Sequence, residues 1–342
     1  MPIRKPGGGS RTLRLRNVAD RVVSSALHRA LTPLWEAVFL PRSMGFRPGR
    51  SAWGLLAELE LAVVGGGLWV LTVDDVKKAF DNVNIDDAMD DHRKYIADAG
   101  LLALVDAVLR GGDPTKKVGV DQGCAYSPDA LNVRLHHAHD LGVDRGHHPP
   151  AWWRYADNHA YLAGTAAEGV QDHDHARVLL VEAGLPFKGA TGTGNTDGGP
   201  VDLAKGGKVQ LLGFTLSKRG DGLHLDLGKE AWGRLGAALA EAHEAEDPTE
   251  NARTVISGWI QAYGPAFGSE RDDVLIRVLE TAGEYGFRET HFLENLKRRG
   301  ESSWERWQAL RKKVRRPEGN SDGPGDRVGA AAPPAAVEPG GV

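Results

Sequence analysis

The feature that most constrains this chain is a pair of aspartates at the ends of apolar strand-like runs. Leu68-Trp69-Val70-Leu71-Thr72-Val73 is β-rich and stops on Asp74-Asp75. Farther on, Trp152–Tyr155 and His159–Leu162 flank Ala156-Asp157-Asn158 and read as strand, tight turn, strand. A strand end sets a carboxylate at the rim of a sheet, where it faces a cleft instead of the core. If these strands are neighbours in one antiparallel sheet, Asp75 and Asp157 meet although 82 positions separate them. Two carboxylates at close range repel, and a divalent cation is the usual way to stabilise them. Taken alone, each aspartate is more often a turn or cap residue.

The rest of the chain reads as helices and loops around those strands. Helical spacing covers Val18 to Phe39 with entry near Asn17, then Ala52–Val64, Ile85–Ala99, Leu101–Leu109, Pro128 to Leu141 and Ala166 to Ala183. Pro6-Gly7-Gly8-Gly9 joins two short segments as a basic β-hairpin, and 189–208 reads as a loop. Val209–Leu216 and Leu223–Leu227 read as strands, and Glu230 to Arg316 as wholly helical. Residues 317–342 are rich in glycine and proline and read as a disordered tail. The 342 residues are 41% hydrophobic and 26% charged, which argues against global disorder and for two or three domains. No apolar run reaches the roughly 20 residues of a membrane helix, and the N-terminus lacks a signal-peptide core, so a cytoplasmic protein without membrane contact is expected. The single cysteine, Cys124, excludes an intrachain disulfide and a Cys-based zinc cluster.

A net charge of −4 speaks at first against a nucleic-acid partner. The sum hides a segregation of sign: +8 over residues 1–50, −6 over 51–110 and +6 over 291–316. A phosphate-binding surface around an acidic, cation-binding centre has this distribution, and so do solvated helix faces.

Seven segments, in order, resemble the reverse transcriptases encoded by bacterial group II introns. Lys5 to Leu13 with Asp20-Arg21-Val22-Val23 is similar to the fingers motif, and Gly45-Phe46-Arg47-Pro48-Gly49-Arg50-Ser51-Ala52 to the family's most diagnostic signature. Asp75 with Phe80-Asp81 resembles motif A, Gln122-Gly123 with Ser127-Pro128 and Asn132 motif B, and Tyr155-Ala156-Asp157-Asn158 motif C. Leu211-Leu212-Gly213-Phe214 is like the primer grip and Ile256–Tyr263 like a thumb segment.

The resemblance implies an α+β right-hand polymerase with an antiparallel palm sheet and an all-helical thumb. Its divisions are expected at 1–66 for the first part of the fingers, 67–228 for the palm with inserted fingers helices, and 229–316 for the thumb. It implies an RNA-directed DNA polymerase acting on an RNA template, a DNA or RNA primer and deoxynucleoside triphosphates. Asp75 and Asp157 would bind Mg²⁺ (or Mn²⁺), with Asn158 beside them as a third catalytic position. Arg11 would contact the triphosphate, Phe80 the deoxyribose, and Gln122 and Gly123 the nascent pair. Arg47, Arg50 and Gly213 would meet nucleic acid. Each has a plainer alternative: a solvated arginine, a core phenylalanine, a common turn pair, a buried strand.

The chain departs from the family where the chemistry would be. Asn158 stands in place of a second aspartate, and His159 follows where an apolar residue is usual. Thr191 falls where motif D has its lysine, for which Lys188 is the nearest substitute. No Cys/His array follows the thumb, so no endonuclease activity is expected. Two alternatives follow: a catalytically impaired, maturase-like RNA-binding scaffold, and a defence-associated nucleotidyltransferase that works without a template.

Overall fold

A computed structural model describes residues 17–315 apart from 147–149, 190–197, 269–270, 289 and 291, with the backbone of 2–4 and 10–12. Strands β1 (Pro2–Arg4) and β2 (Ser10–Thr12) pair antiparallel. Helix α1 (Val18–Val38) starts where Asn17 Oδ1 accepts the Asp20 amide, and α2 (Ala52–Gly66) where Ser51 Oγ accepts that of Gly54. Strand β3 (Val70–Asp75) leads into α3 (Ala79–Asn82) and α4 (Ile85–Arg93). Next come α5 (Ala99–Arg110) and α6 (Ser127–Leu135), a π-helical turn (His136–Asp140) and α7 (Leu141–Asp144). The hairpin of β4 (Ala151–Tyr155) and β5 (Asn158–Ala163) precedes α8 (Ala166–Glu182), which opens on a Thr165/Glu168 capping box. Short β6 (Val201–Asp202) is followed by β7 (Lys208–Leu211), β8 (Phe214–Arg219) and β9 (Gly222–Leu227). The chain then turns helical: α9 (Lys229–Ala242), α10 (Pro248–Ala262), α11 (Arg271–Glu284) and α12 (Leu293–Val314).

The central sheet runs β4-β5-β3-β6, and every pairing in it is antiparallel. Its register sets Leu71 against Leu162, Val73 against Ala160 and Asp75 against Asn158. Side chains alternate across a strand, so these pairs share one face with Trp153 and Tyr155. The apolar members of that face pack with α2, the β7–β9 sheet and the C-terminal helices in one buried cluster. Trp152 and Tyr161 point the other way, into a second cluster built from α1, α3 to α6 and α8.

Four expectations from the sequence change. Within 189–208, expected as a loop, Val201–Asp202 forms β6 against β3. The helix expected over 85–99 ends at Arg93, and Asp98 caps a new helix at Ala99. The helix expected from Pro128 to Leu141 passes through the π turn. The run 209–216 breaks at Leu212-Gly213, where both φ angles are positive (+53° and +89°). Two consecutive residues of that kind make the type I′ turn of a two-residue hairpin, so β7 and β8 are separate strands. The tail expected over 317–342 and the side chain of Arg11 lie outside the described residues, as does Thr191.

Candidate functional site

Asp75 is the last residue of β3, opposite Asn158, the first residue of β5. The Val76 amide donates to the Asp157 carbonyl at 2.9 Å, which ties the chain after β3 to the β4–β5 turn. That turn is only Ala156-Asp157, because Tyr155 already pairs with Asn158. Ala156 takes a positive φ (+56°), the work glycine usually does at the first central position of such a turn. The two sequence-predicted aspartates are thus brought together at one end of the sheet.

Asp75 is 8% exposed, and its Oδ1 is buried with no hydrogen-bond partner. Its Oδ2 accepts the Lys188 ammonium, and the Lys188 amide donates to the Asp75 carbonyl at 2.8 Å. Burial pushes the Asp75 carboxyl above the usual range; Lys188 pulls it back, while the charges of Asp157 and Asp74 push it further up. Asn158 Nδ2 reaches Asp157 Oδ1 at 3.4 Å. No group of three or more His, Cys, Asp or Glu among the described residues converges to hold a metal. Mg²⁺ is commonly held by one or two carboxylates together with substrate phosphates and water. An orphaned carboxylate oxygen beside a second aspartate fits that kind of site, which Asp75 and Asp157 could hold.

The opposite face beneath the site is largely buried and polar. Asp74 is fully buried; its Oδ1 accepts the amides of Asp75 and Gly189, and its Oδ2 meets His173 Nε2 at 3.0 Å. His159 replaces an apolar side chain without reaching solvent, and its Nδ1–H donates to the Asp157 carbonyl at 3.1 Å. Burial holds its imidazole well below the ordinary value, so it stays neutral. Arg154, unnoticed in the sequence, is fully buried and bridges Ser43, Asn132, Asp140 and the Ala156 carbonyl. The one sequence signal for it was a charge inside the apolar strand Ala151-Trp152-Trp153-Arg154-Tyr155.

The other expected site residues fare differently. Phe80 is half-buried and edge-on to the exposed Phe46 ring, 6.2 Å between centroids. Gln122 carries a buried Oε1 without a partner, and Gly123 is exposed with φ +102°. Arg50 is half-buried and donates to the Pro41 carbonyl at 2.7 Å. Arg47 is expected from the sequence to meet nucleic acid. Its guanidinium is buried and spent on both Glu36 oxygens and on the carbonyls of Leu40 and Ser43. Gly213, also expected to meet nucleic acid, is buried, with the Tyr263 hydroxyl standing 3.0 Å from where a Cβ would be.

Residues 3–188 match the sequence profile of the reverse transcriptase (RNA-dependent DNA polymerase) family. The chain is 31% identical over 138 residues to a COX1/OXI3 intron 1 protein of Saccharomyces cerevisiae, covering 38% of this chain and 16% of that one. It is 31% identical over 143 residues to protein YkfC of Escherichia coli, covering 39% and 37%. To the mitochondrial nuclear intron maturase 1 of Arabidopsis thaliana it is 34% identical over 94 residues, covering 28% and 13%. The matched stretches therefore span less than two fifths of these relatives' lengths. Among solved structures, a Candida tropicalis telomerase in complex with a TWJ fragment of telomeric RNA aligns with TM-score 0.44 and 12% identity, over 90% of this chain and 62% of that one. With more than half its length inside the profile, this chain belongs to the reverse transcriptase (RNA-dependent DNA polymerase) family.

Proposed function

We propose that the chain is an RNA-directed DNA polymerase that extends a primer on an RNA template. In this reading residues 1–66 start the fingers, 67–228 form the palm and 229–316 the thumb. The observation that carries it is the Asp75–Asn158 register, which sets Asp157 beside a carboxylate whose buried Oδ1 has no partner. Asp75 and Asp157 would hold Mg²⁺ or Mn²⁺, which would supply charge stabilisation to an attacking 3′-hydroxyl and a leaving pyrophosphate. Lys188, whose Nζ donates to Asp75 Oδ2, would neutralise or protonate a leaving phosphate. Phe80 offers a ring beside Phe46 for the sugar, and Gln122 an amide for the template strand. Arg11 would meet the triphosphate from the N-terminal hairpin.

A second reading, an RNA-binding scaffold of maturase type, draws on a specific observation: Lys188 already neutralises Asp75, and Asn158 supplies an amide in place of a third carboxylate. Primer extension by the full chain on an RNA template, with Mg²⁺ or Mn²⁺ and Asp75→Ala as control, separates the two. Incorporation that the substitution abolishes supports the polymerase. No incorporation with either metal, alongside salt-sensitive RNA binding, leaves the scaffold.

A further inference from the structure

The Arg154 guanidinium has five N–H bonds, and every one has an acceptor inside the protein. Nε–H donates to Asp140 Oδ1 at 2.9 Å, and one Nη2–H to Asp140 Oδ2 at 2.7 Å. The other Nη2–H reaches Ser43 Oγ at 2.6 Å. Nη1 donates to Asn132 Oδ1 at 2.7 Å and to the Ala156 carbonyl at 3.1 Å. The side chains of Arg154 and Asp140 are both 0% exposed. Burial alone would raise the Asp140 carboxyl, but Arg154 and His139 outweigh it and hold the group well below the carboxylate range. The two groups form an ion pair sealed from solvent.

Its four partners come from four places in the chain. Asp140 closes the π turn after α6, and Asn132 sits in the middle of α6. Ser43 lies in the loop between α1 and α2, and Ala156 in the hairpin turn that carries Asp157. Asn132 continues the chain of bonds, since its Nδ2 donates to the Gly45 carbonyl at 2.9 Å. Backbone bonds run alongside: the Met44 amide to the Arg154 carbonyl at 2.8 Å and the Arg154 amide to the Arg42 carbonyl at 3.0 Å. The loop that carries Phe46 and the turn that carries Asp157 are thus fastened to one rigid plane.

We infer that Arg154 is a positioning residue, a clamp that fixes the Ser43–Phe46 loop and the Asp157 turn to each other so that neither moves alone. The use of that clamp in nucleotide addition rests on the polymerase reading; the clamp itself does not. A displacement of about 1 Å in a reacting group costs on the order of 10²-fold in rate, so loosening the clamp lowers kcat and leaves template–primer affinity alone.

Arg154→Met strands a buried carboxylate and is prone to misfold. Asn132→Asp is the sharper probe: it keeps an oxygen for Arg154 and turns the donor that holds Gly45 into an acceptor. Ser43→Ala removes one other arm. Hydrogen exchange by mass spectrometry on the full chain reads the clamp. The expected result for each variant is exchange at least about tenfold faster in both 43–47 and 155–158, with α9 to α12 as in the native chain. Acceleration in 43–47 alone, or in neither segment, overturns the inference. Primer extension reads its use: the Asn132→Asp kcat should fall at least about tenfold with KM for template–primer unchanged. An unchanged kcat overturns the catalytic part. A native chain that extends no primer defeats the polymerase reading, and the exchange result still decides the clamp.

Discussion

Gly45 rests directly on the backbone of Ala156: a Cβ added at Gly45 would stand 2.1 Å from the Ala156 amide nitrogen and 2.9 Å from its Cα. Backbone cannot rotate away as a side-chain tip can, so a methyl group here must push the Asp157 turn off its seat. Gly45→Ala is expected to destabilise the chain by about 3 kcal/mol or more, the upper part of the range for overpacking. Gly258→Ala is the control, since nothing lies within 4 Å of its added Cβ. Denaturant titration of both chains checks the difference, and equal midpoints would refute the contact.

Asn158 reaches across to Asp157 with its amide nitrogen, so the site lacks the negative charge a carboxylate would supply. Asn158→Asp should tighten Mn²⁺ binding on the order of tenfold, as affinity for a hard cation follows ligand charge. Titration of the Mn²⁺ electron paramagnetic resonance signal measures it. Equal or weaker binding would argue against a cation at this turn.

Lys188 puts its ammonium on the same carboxylate that a cation would use. Lys188→Met should therefore strengthen Mn²⁺ binding by roughly tenfold, since a like charge is removed at close range. Primer extension should slow in the same variant if the ammonium serves the leaving phosphate. Stronger binding with faster extension would assign Lys188 a purely inhibitory role.

Buried histidines make stability depend on acid. His92 is fully buried, donates from Nδ1 to the Ala88 carbonyl at 2.6 Å and accepts from the Tyr126 hydroxyl at Nε2, 2.9 Å. Burial lowers its pKa from 6.5 to about 4. The unfolded chain takes up this proton below pH 6.5 and the folded chain only near pH 4, so the contribution is present above 6.5 and lost as pH falls through that window. The carboxyl of Asp129, raised to about 6 by burial, acts with the opposite sign, so the native slope mixes both. The difference between chains isolates one group. His92→Gln should lose stability less steeply than the native chain from pH 6.5 to about 4, by up to about 1.4 kcal/mol per pH unit. Parallel thermal-melt profiles of the two chains would refute a buried neutral imidazole.

The strands and their carboxylates were legible because apolar runs that stop on charge need no partner to be recognised. The register of Asp75 with Asn158 followed once both strands were placed. What stayed hidden depends on contacts remote in sequence. Arg154 reads as an odd charge in a strand until Ser43, 111 positions away, is seen beside it. Arg47 reads as a surface arginine because nothing local announces that Glu36 turns back toward it. The break at Leu212-Gly213 was missed for a different reason: leucine is a poor advertisement for a positive φ, and only the glycine beside it hinted at a turn.

The central sheet is a partition with a separate apolar cluster against each side. The profile of the family ends at residue 188, yet Leu71, Val73, Trp153, Ala160 and Leu162 share one buried cluster with residues beyond it, among them Leu211, Phe214, Trp259 and Trp307. Inheritance and folding are therefore divided along different lines. The stretch recognisable by descent is only part of a physical body, and the C-terminal helices, outside that profile, complete the apolar cluster behind one face of the sheet that carries the site.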